Sequence, residues 1–165
     1  MDATEFDALY RRNFVAIAKF FARRAEPRFA EELAAETFSI AWAKKEQATT
    51  EFELAWLYKI AGYVLNNQRR RQIKEFQFFS AFSPTMRFAP SAEQLALKDD
   101  ELAQAIAGLP AKDQAILALV YLDDLPVKVA AEILSLTPNA VSIRLTRIRA
   151  ALALNLKASE RFSDD

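Results

Sequence analysis

The chain has 165 residues, 22 Lys and Arg balanced by 22 Asp and Glu, no cysteine, no histidine and two glycines, Gly62 and Gly108. Without cysteine there is no disulfide framework or thiolate metal site, and without histidine the commonest general base and metal ligand is missing. Two glycines cannot form a P-loop or a G-x-G-x-x-G turn, so no cofactor is expected.

No apolar run nears the roughly 18 residues of a membrane span, and the start MDATEFDALYRR is acidic and lacks an apolar signal region. The expectation is a cytoplasmic protein with no membrane insertion. Phe6, Leu9, Tyr10, Phe14, Ile17, Phe20 and Phe21 recur at three- and four-residue spacing, which predicts a first amphipathic helix over about 4 to 25. After Pro27, Leu33, Phe38, Ala41 and Trp42 continue the pattern into a second helix over about 29 to 45. Glu31, Glu32 and Glu36 lie close enough on it to suggest a magnesium site; the alternative is a solvated acidic face or one that meets a partner's basic residues.

A third helix runs from FELAWLYKIAGY to about residue 75 without proline and ends in basic residues. At 100° per residue, Leu57, Ile60, Ala61, Val64 and Leu65 share one side. Trp56, Lys59, Tyr63, Asn66, Asn67, Arg70 and Lys74 form a separate stripe. Aromatic rings, amides and cations together are the groups that stack on unpaired bases, read their edges and hold phosphates. Trp56 and Tyr63 could instead sit at the edge of the core.

Residues 76–92, FQFFSAFSPTMRFAPSA, lose the period and carry two prolines, which marks a linker. Phe76, Phe78, Phe79, Phe82 and Phe88 crowd into it. Either the first three extend the third helix and cap its core, or Phe82 and Phe88 clasp two domains together. Beyond the linker, one helix closes near Gly108 and the next opens with Pro110 at its first position. No β alternation is visible. The predicted fold class is all-α, with two small helical domains over 1–75 and 93–165.

The last unit predicts a short helix over about 126 to 134, a turn at Ser135 and Leu136, and a second helix with Thr137 as N-cap and Pro138 in its first turn. Val141, Leu145, Ile148 and Leu152 make an inward seam, leaving Ser142, Ile143, Thr146, Arg147 and Ala150 outward. This is a helix-turn-helix pattern, whose second helix suits a DNA major groove. The stretch TPNAVSIRLTRIR holds three arginines and no acid, as phosphate contact favours. Arg144, Arg147 and Arg149 could otherwise simply solvate a helix C-terminal half and favour its dipole.

With both units in view, the chain resembles the extracytoplasmic-function (ECF) sigma factors, small two-domain subunits of bacterial RNA polymerase. FDALYRRNFVAIAKFFARR is similar to the family's first helix, AEELAAETFSIAWAK to its polymerase-binding helix, and FELAWLYKIAGYVLNNQRRR to its promoter-melting and −10-element helix. The segment from Leu109 to Leu152 resembles the −35-element domain, with Ser135 at the turn position where the family customarily has glycine.

The resemblance implies promoter-directed transcription initiation with no catalysis by the chain itself. Its implied partners are core RNA polymerase, duplex and melted promoter DNA, and an anti-sigma factor. Core-polymerase binding would fall to Glu32, Leu33, Glu36, Phe38 and Trp42. The −10 element and single strand would meet Trp56, Lys59, Tyr63, Asn66, Asn67, Arg69, Arg70 and Arg71. The −35 element would meet Asn139, Ser142, Ile143, Arg144, Thr146, Arg147 and Arg149. Two alternatives stay open: a helix-turn-helix regulator with an N-terminal sensing or dimerisation domain, and a helical sigma-domain mimic that binds no DNA.

Overall fold

The computed structural model describes residues 1–72, 88–90 and 100–163. Among them every regular element is helical. Helix α1 spans Ala3–Ala22 and starts from a capping box in which the Asp2 carboxylate accepts from the Glu5 amide and the Glu5 carboxylate from the Asp2 amide, both at 2.8 Å. It ends three residues earlier than the periodicity predicts, because the chain turns at Arg23 and Arg24 towards a short 3₁₀ turn, Pro27–Phe29. Helix α2 follows directly as Ala30–Ala43 and α3 as Glu53–Gln72.

Of the residues that spacing marks, these three helices bury Leu9, Ile17, Phe20 and Phe21 from α1, Leu33, Phe38 and Ala41 from α2, and Leu57, Ile60, Ala61, Val64 and Leu65 from α3, while Phe6 and Phe14 are half-buried and Tyr10 and Trp42 are exposed. Ring contacts reinforce the α1–α2 pairing, with Tyr10 4.9 Å from Phe38 and Phe6 5.0 Å from Trp42 between centroids.

The second unit comprises α4 (Asp100–Ala107), α5 (Ala111–Leu117), α6 (Val127–Ile133) and α7 (Pro138–Ser163). Pro110 and Pro126 take the N-cap positions of α5 and α6 in extended conformation, one residue earlier than the first-turn placement expected for Pro110. Helix α5 runs on into a π turn, Ala118–Leu122, closed by the Asp123 amide donating to the Ala118 carbonyl at 2.9 Å. Asp124 then takes a left-handed conformation, φ 54°, which turns the chain towards α6.

Each unit carries apolar interior, and part of it is shared between them. Ile116, Ala131, Val141, Leu145 and Ile148 make a core of the second unit. The α1–α3 core, however, continues through Ala115, Leu119, Leu125, Ala130 and Ile133 of that same unit. Phe88 joins this shared core, 6.2 Å from the Phe20 ring. Phe76, Phe78, Phe79, Phe82 and Lys74 lie outside the described residues.

Candidate nucleic-acid interface

The turn between α6 and α7 is fixed by backbone geometry. Ser135 adopts φ 56°, its amide donates to the Glu132 carbonyl at 3.3 Å, and the Leu136 amide donates to Ala131 at 2.9 Å. This is a Schellman closure, which satisfies two end carbonyls of α6. A left-handed residue with a side chain costs about 1–2 kcal/mol relative to its ordinary conformation, so the tight turn is maintained against local strain. Thr137 then caps α7, its hydroxyl accepting from the Ala140 amide at 3.1 Å.

Along α7, Val141, Leu145 and Ile148 are buried, and Asn139, Ser142, Ile143, Thr146, Arg147 and Arg149 are exposed. The three arginines differ in environment. Arg144 is half-buried and pairs with Asp113 of α5 at 3.0 Å, which corrects the picture of a cation with no carboxylate nearby. The acid comes from another helix, and the pair staples α7 to α5. Arg149 donates Nε to the Tyr121 hydroxyl at 2.8 Å, with Nη2 reaching the same oxygen. Arg147 projects into solvent without an ion pair among the described residues.

On α3 the stripe divides. Trp56 packs partly buried against the shared core, and Lys59 pairs with Glu132 of α6 at 3.1 Å. Beside them Lys128 of α6 reaches Glu51 at 3.4 Å and lies over the Phe52 ring. Helix α6 thus borders the N-terminal half of the stripe, where Lys59 stays exposed while paired with Glu132. In the C-terminal half Tyr63, Arg70 and Arg71 are exposed, and Asn66 and Asn67 are half-buried. Arg71 donates Nε to the Asn67 carbonyl at 3.5 Å and lies 4.0 Å from the Glu36 carboxylate.

Arg69 faces another way. Its Nη2 donates to the carbonyls of Arg24 and Ala89, both at 3.3 Å, and burial, with Arg24 beside it, lowers its pKa to about 10. It stays charged at neutral pH, tied to the protein interior instead of to a strand.

On α2, Glu31 and Glu32 are exposed, Glu36 is half-buried, and Trp42 is exposed with Lys45 4.0 Å over its ring. Leu33 and Phe38 are buried in the core and present no surface to a partner; they hold the helix in place. No group of acids among the described residues could hold a metal ion, so the three glutamates make an acidic surface.

Sequence reasoning missed a buried cluster at the junction of the units. The side chains of Arg24 and Asp123 are fully buried against each other, with Arg24 Nη2 2.5 Å from one carboxylate oxygen and Nη1 3.0 Å from the other. Tyr58 lies close by, its hydroxyl pushed up to about 12 by burial and then by Asp123. The local signal was faint, since an acid pair in a turn is ordinarily solvated.

Residues 99–152 match the family model described as Sigma-70, region 4, a span that contains α5, the π turn, α6 and the described outer face of α7. Among curated proteins nothing matches. Among solved structures, the chain is similar to the sigma factor RpoE in complex with the anti-sigma factor NepR from Bartonella quintana, at 22% identity and TM-score 0.61, covering 94% of this chain and 98% of that one. It is also similar to CnrH in complex with the cytosolic domain of CnrY, at 22% identity and TM-score 0.59, covering 95% and 90%. At this identity the likeness is one of fold, and it extends over both units.

Proposed function

We propose that this chain is an ECF-type sigma subunit of bacterial RNA polymerase, which directs the core enzyme to promoters and assists strand opening without catalysing a reaction itself. The observation that carries this reading is the coincidence of the sigma-70 region 4 match with a helix-turn-helix whose outer face is exposed and basic. A whole-chain fold shared with the two neighbours supports it.

In this reading the chain divides into a domain over 1–75 that binds polymerase and captures the −10 element, a linker over 76–92, and a −35-reading domain over 93–165. Helix α7 enters the major groove, with Arg147, Asn139, Ser142, Ile143 and Thr146 towards base edges and phosphates. Tyr63, Asn66, Asn67, Arg70 and Arg71 stack on and hold the melted strand. Glu32, Glu36 and Trp42 form the polymerase-facing surface of α2, and their acidity balances the basic DNA faces in a chain of zero net charge. No helix among the described residues is long and apolar enough to cross a membrane, in keeping with work in the cytoplasm. An anti-sigma factor is the expected regulatory partner, as the neighbour solved with NepR suggests.

The decisive experiment is initiation by purified core polymerase on a library of promoter DNA, with and without this chain. The reading requires new start sites that depend on the chain; none appearing would reject it. Changing Glu32 and Glu36 together to Lys should abolish co-elution with core polymerase at unchanged helical content, measured by gel filtration and circular dichroism.

A further inference from the structure

The outer face of α7 carries one cation that a residue from outside the helix-turn-helix holds in place. Arg149 stands seven residues after Ser142, two turns on, so the two lie within about 20° of one line and about 10 Å apart along the axis. Both are exposed. That line is one flank of the face that runs through Asn139, Ile143 and Thr146, and Arg147 lies on the other. When a helix lies in a groove, the centre of such a face meets base edges and its flanks meet the sugar-phosphate walls.

The partner of Arg149 is Tyr121. Its hydroxyl accepts from Nε at 2.8 Å and also from Nη2, and the guanidinium carbon lies 5.6 Å from the ring centroid. A guanidinium holds five N–H groups in one rigid plane, arranged in edges that each offer a parallel pair. The tyrosine takes the edge made by Nε and Nη2. The pair at the end, one N–H from each Nη, matches two oxygens of a phosphodiester. Accepting two bonds occupies both lone pairs of the phenol oxygen, so its own O–H is left to donate, and the adjacent cation strengthens it as a donor.

Both groups stand on fixed backbone. Tyr121 belongs to the π turn, between the buried Leu119 and the buried side chain of Asp123, and is itself exposed. Arg149 follows the buried Ile148. Holding a long side chain in one orientation before it binds removes the entropy that ordering it would otherwise cost.

We propose that Tyr121 and Arg149 form one binding site for a backbone phosphate of duplex DNA, in which Tyr121 positions the guanidinium and donates a hydrogen bond from its hydroxyl to the same phosphate. The proposal rests on the reading of α7 as the duplex-binding helix, and it gives the π turn a part in DNA binding.

The probe is a labelled promoter duplex recovered from the library by core polymerase with this chain, titrated with that complex at several salt concentrations. Tyr121→Phe keeps the ring and removes only the hydroxyl. It should weaken the complex by about three- to tenfold and leave the slope of log affinity against log salt unchanged, because the cation stays. Arg149→Ala should weaken it and lower the slope by about one. Adding Tyr121→Phe to Arg149→Ala should change affinity by less than about twofold. A tyrosine that merely packs would show the same loss with and without Arg149, and that result would overturn the proposal. Tighter binding by Tyr121→Phe would also overturn it, since the hydroxyl would then be withholding Arg149 from the DNA. Arg149→Lys keeps the charge without the two edges; it should reproduce the Tyr121→Phe loss at unchanged slope, and it decides the matter if Tyr121→Phe loses helical signal in circular dichroism. A library that yields no promoter rejects the sigma reading and the site with it. A promoter bound equally by the parent and Tyr121→Phe rejects the site alone.

Discussion

The two candidate DNA-facing helices present opposite cases. On α7 the positions that periodicity turns outward stay outward, from Asn139 to Arg149. On α3 the same reasoning selects a stripe whose first half borders another helix, with Trp56 half-buried and the exposed Lys59 paired with Glu132. Amphipathic spacing identifies the residues that leave their own unit's core. It carries no information about a second unit that comes to lie beside them, because the partner is 73 positions away in the chain.

The largest effect that separates the two faces is expected at Arg147. Arg147→Ala should weaken duplex binding at the upstream element by about 1–3 kcal/mol, measured by titration at fixed salt, and leave the melting temperature unchanged. Asn67→Ala should leave duplex affinity alone and slow strand opening, followed by permanganate reactivity. Equal effects of both substitutions on duplex affinity would erase the distinction between the helices.

The inward face of α3 should titrate like an interior, because Tyr58 is buried there. Tyr58 has its hydroxyl raised to about 12, above the ordinary value near 10 that it has when unfolded. The unfolded state therefore loses its proton first. The stabilisation is fully present below pH 10 and is lost as pH rises towards 12, by on the order of 2 kcal/mol. Arg69, lowered to about 10, acts with the opposite sign above that pH. Comparing urea unfolding of the parent and Tyr58→Phe between pH 9 and 12 isolates the tyrosine: the parent should lose stability faster.

A smaller effect tests the recognition turn. Ser135→Gly removes left-handed strain and should raise stability by about 1 kcal/mol, seen as a higher urea midpoint at unchanged slope. The smallest is expected at Arg144. Its pair with Asp113 is partly solvent-exposed, so Arg144→Gln should cost under about 1 kcal/mol and change duplex affinity far less than Arg147→Ala. A larger loss of DNA binding at Arg144 would return it to the recognition face.

Much of the fold was legible because local physics decides it. The α7 seam of Val141, Leu145 and Ile148, the Thr137 cap and the breaks around Pro27 and Pro110 all follow from spacing and backbone chemistry within a few residues. Leu33 and Phe38 show the limit for the site: their apolar spacing already places them on the buried side of α2, yet the resemblance to a docking helix invited their inclusion in a contact surface. Arg24 and Asp123 were invisible for a different reason. Each is an ordinary surface residue type in an ordinary turn, and only the tertiary arrangement turns them into a buried pair.

The π turn at Ala118–Leu122 has a consequence for how such a molecule can change over generations. A wider turn of this kind holds one residue more than the α-helical path between the same ends. An extra residue can therefore be gained or lost at this turn with both ends held in place, whereas a deletion within the regular winding of α5 would swing everything after it by about 100° with a shift of about 1.5 Å. Asp123 would then no longer point at Arg24, while the inward seams of α1–α3 and of α7 would keep their own residues. The π turn is thus a place along this helix where a change of one codon spares the mutual orientation of the two halves.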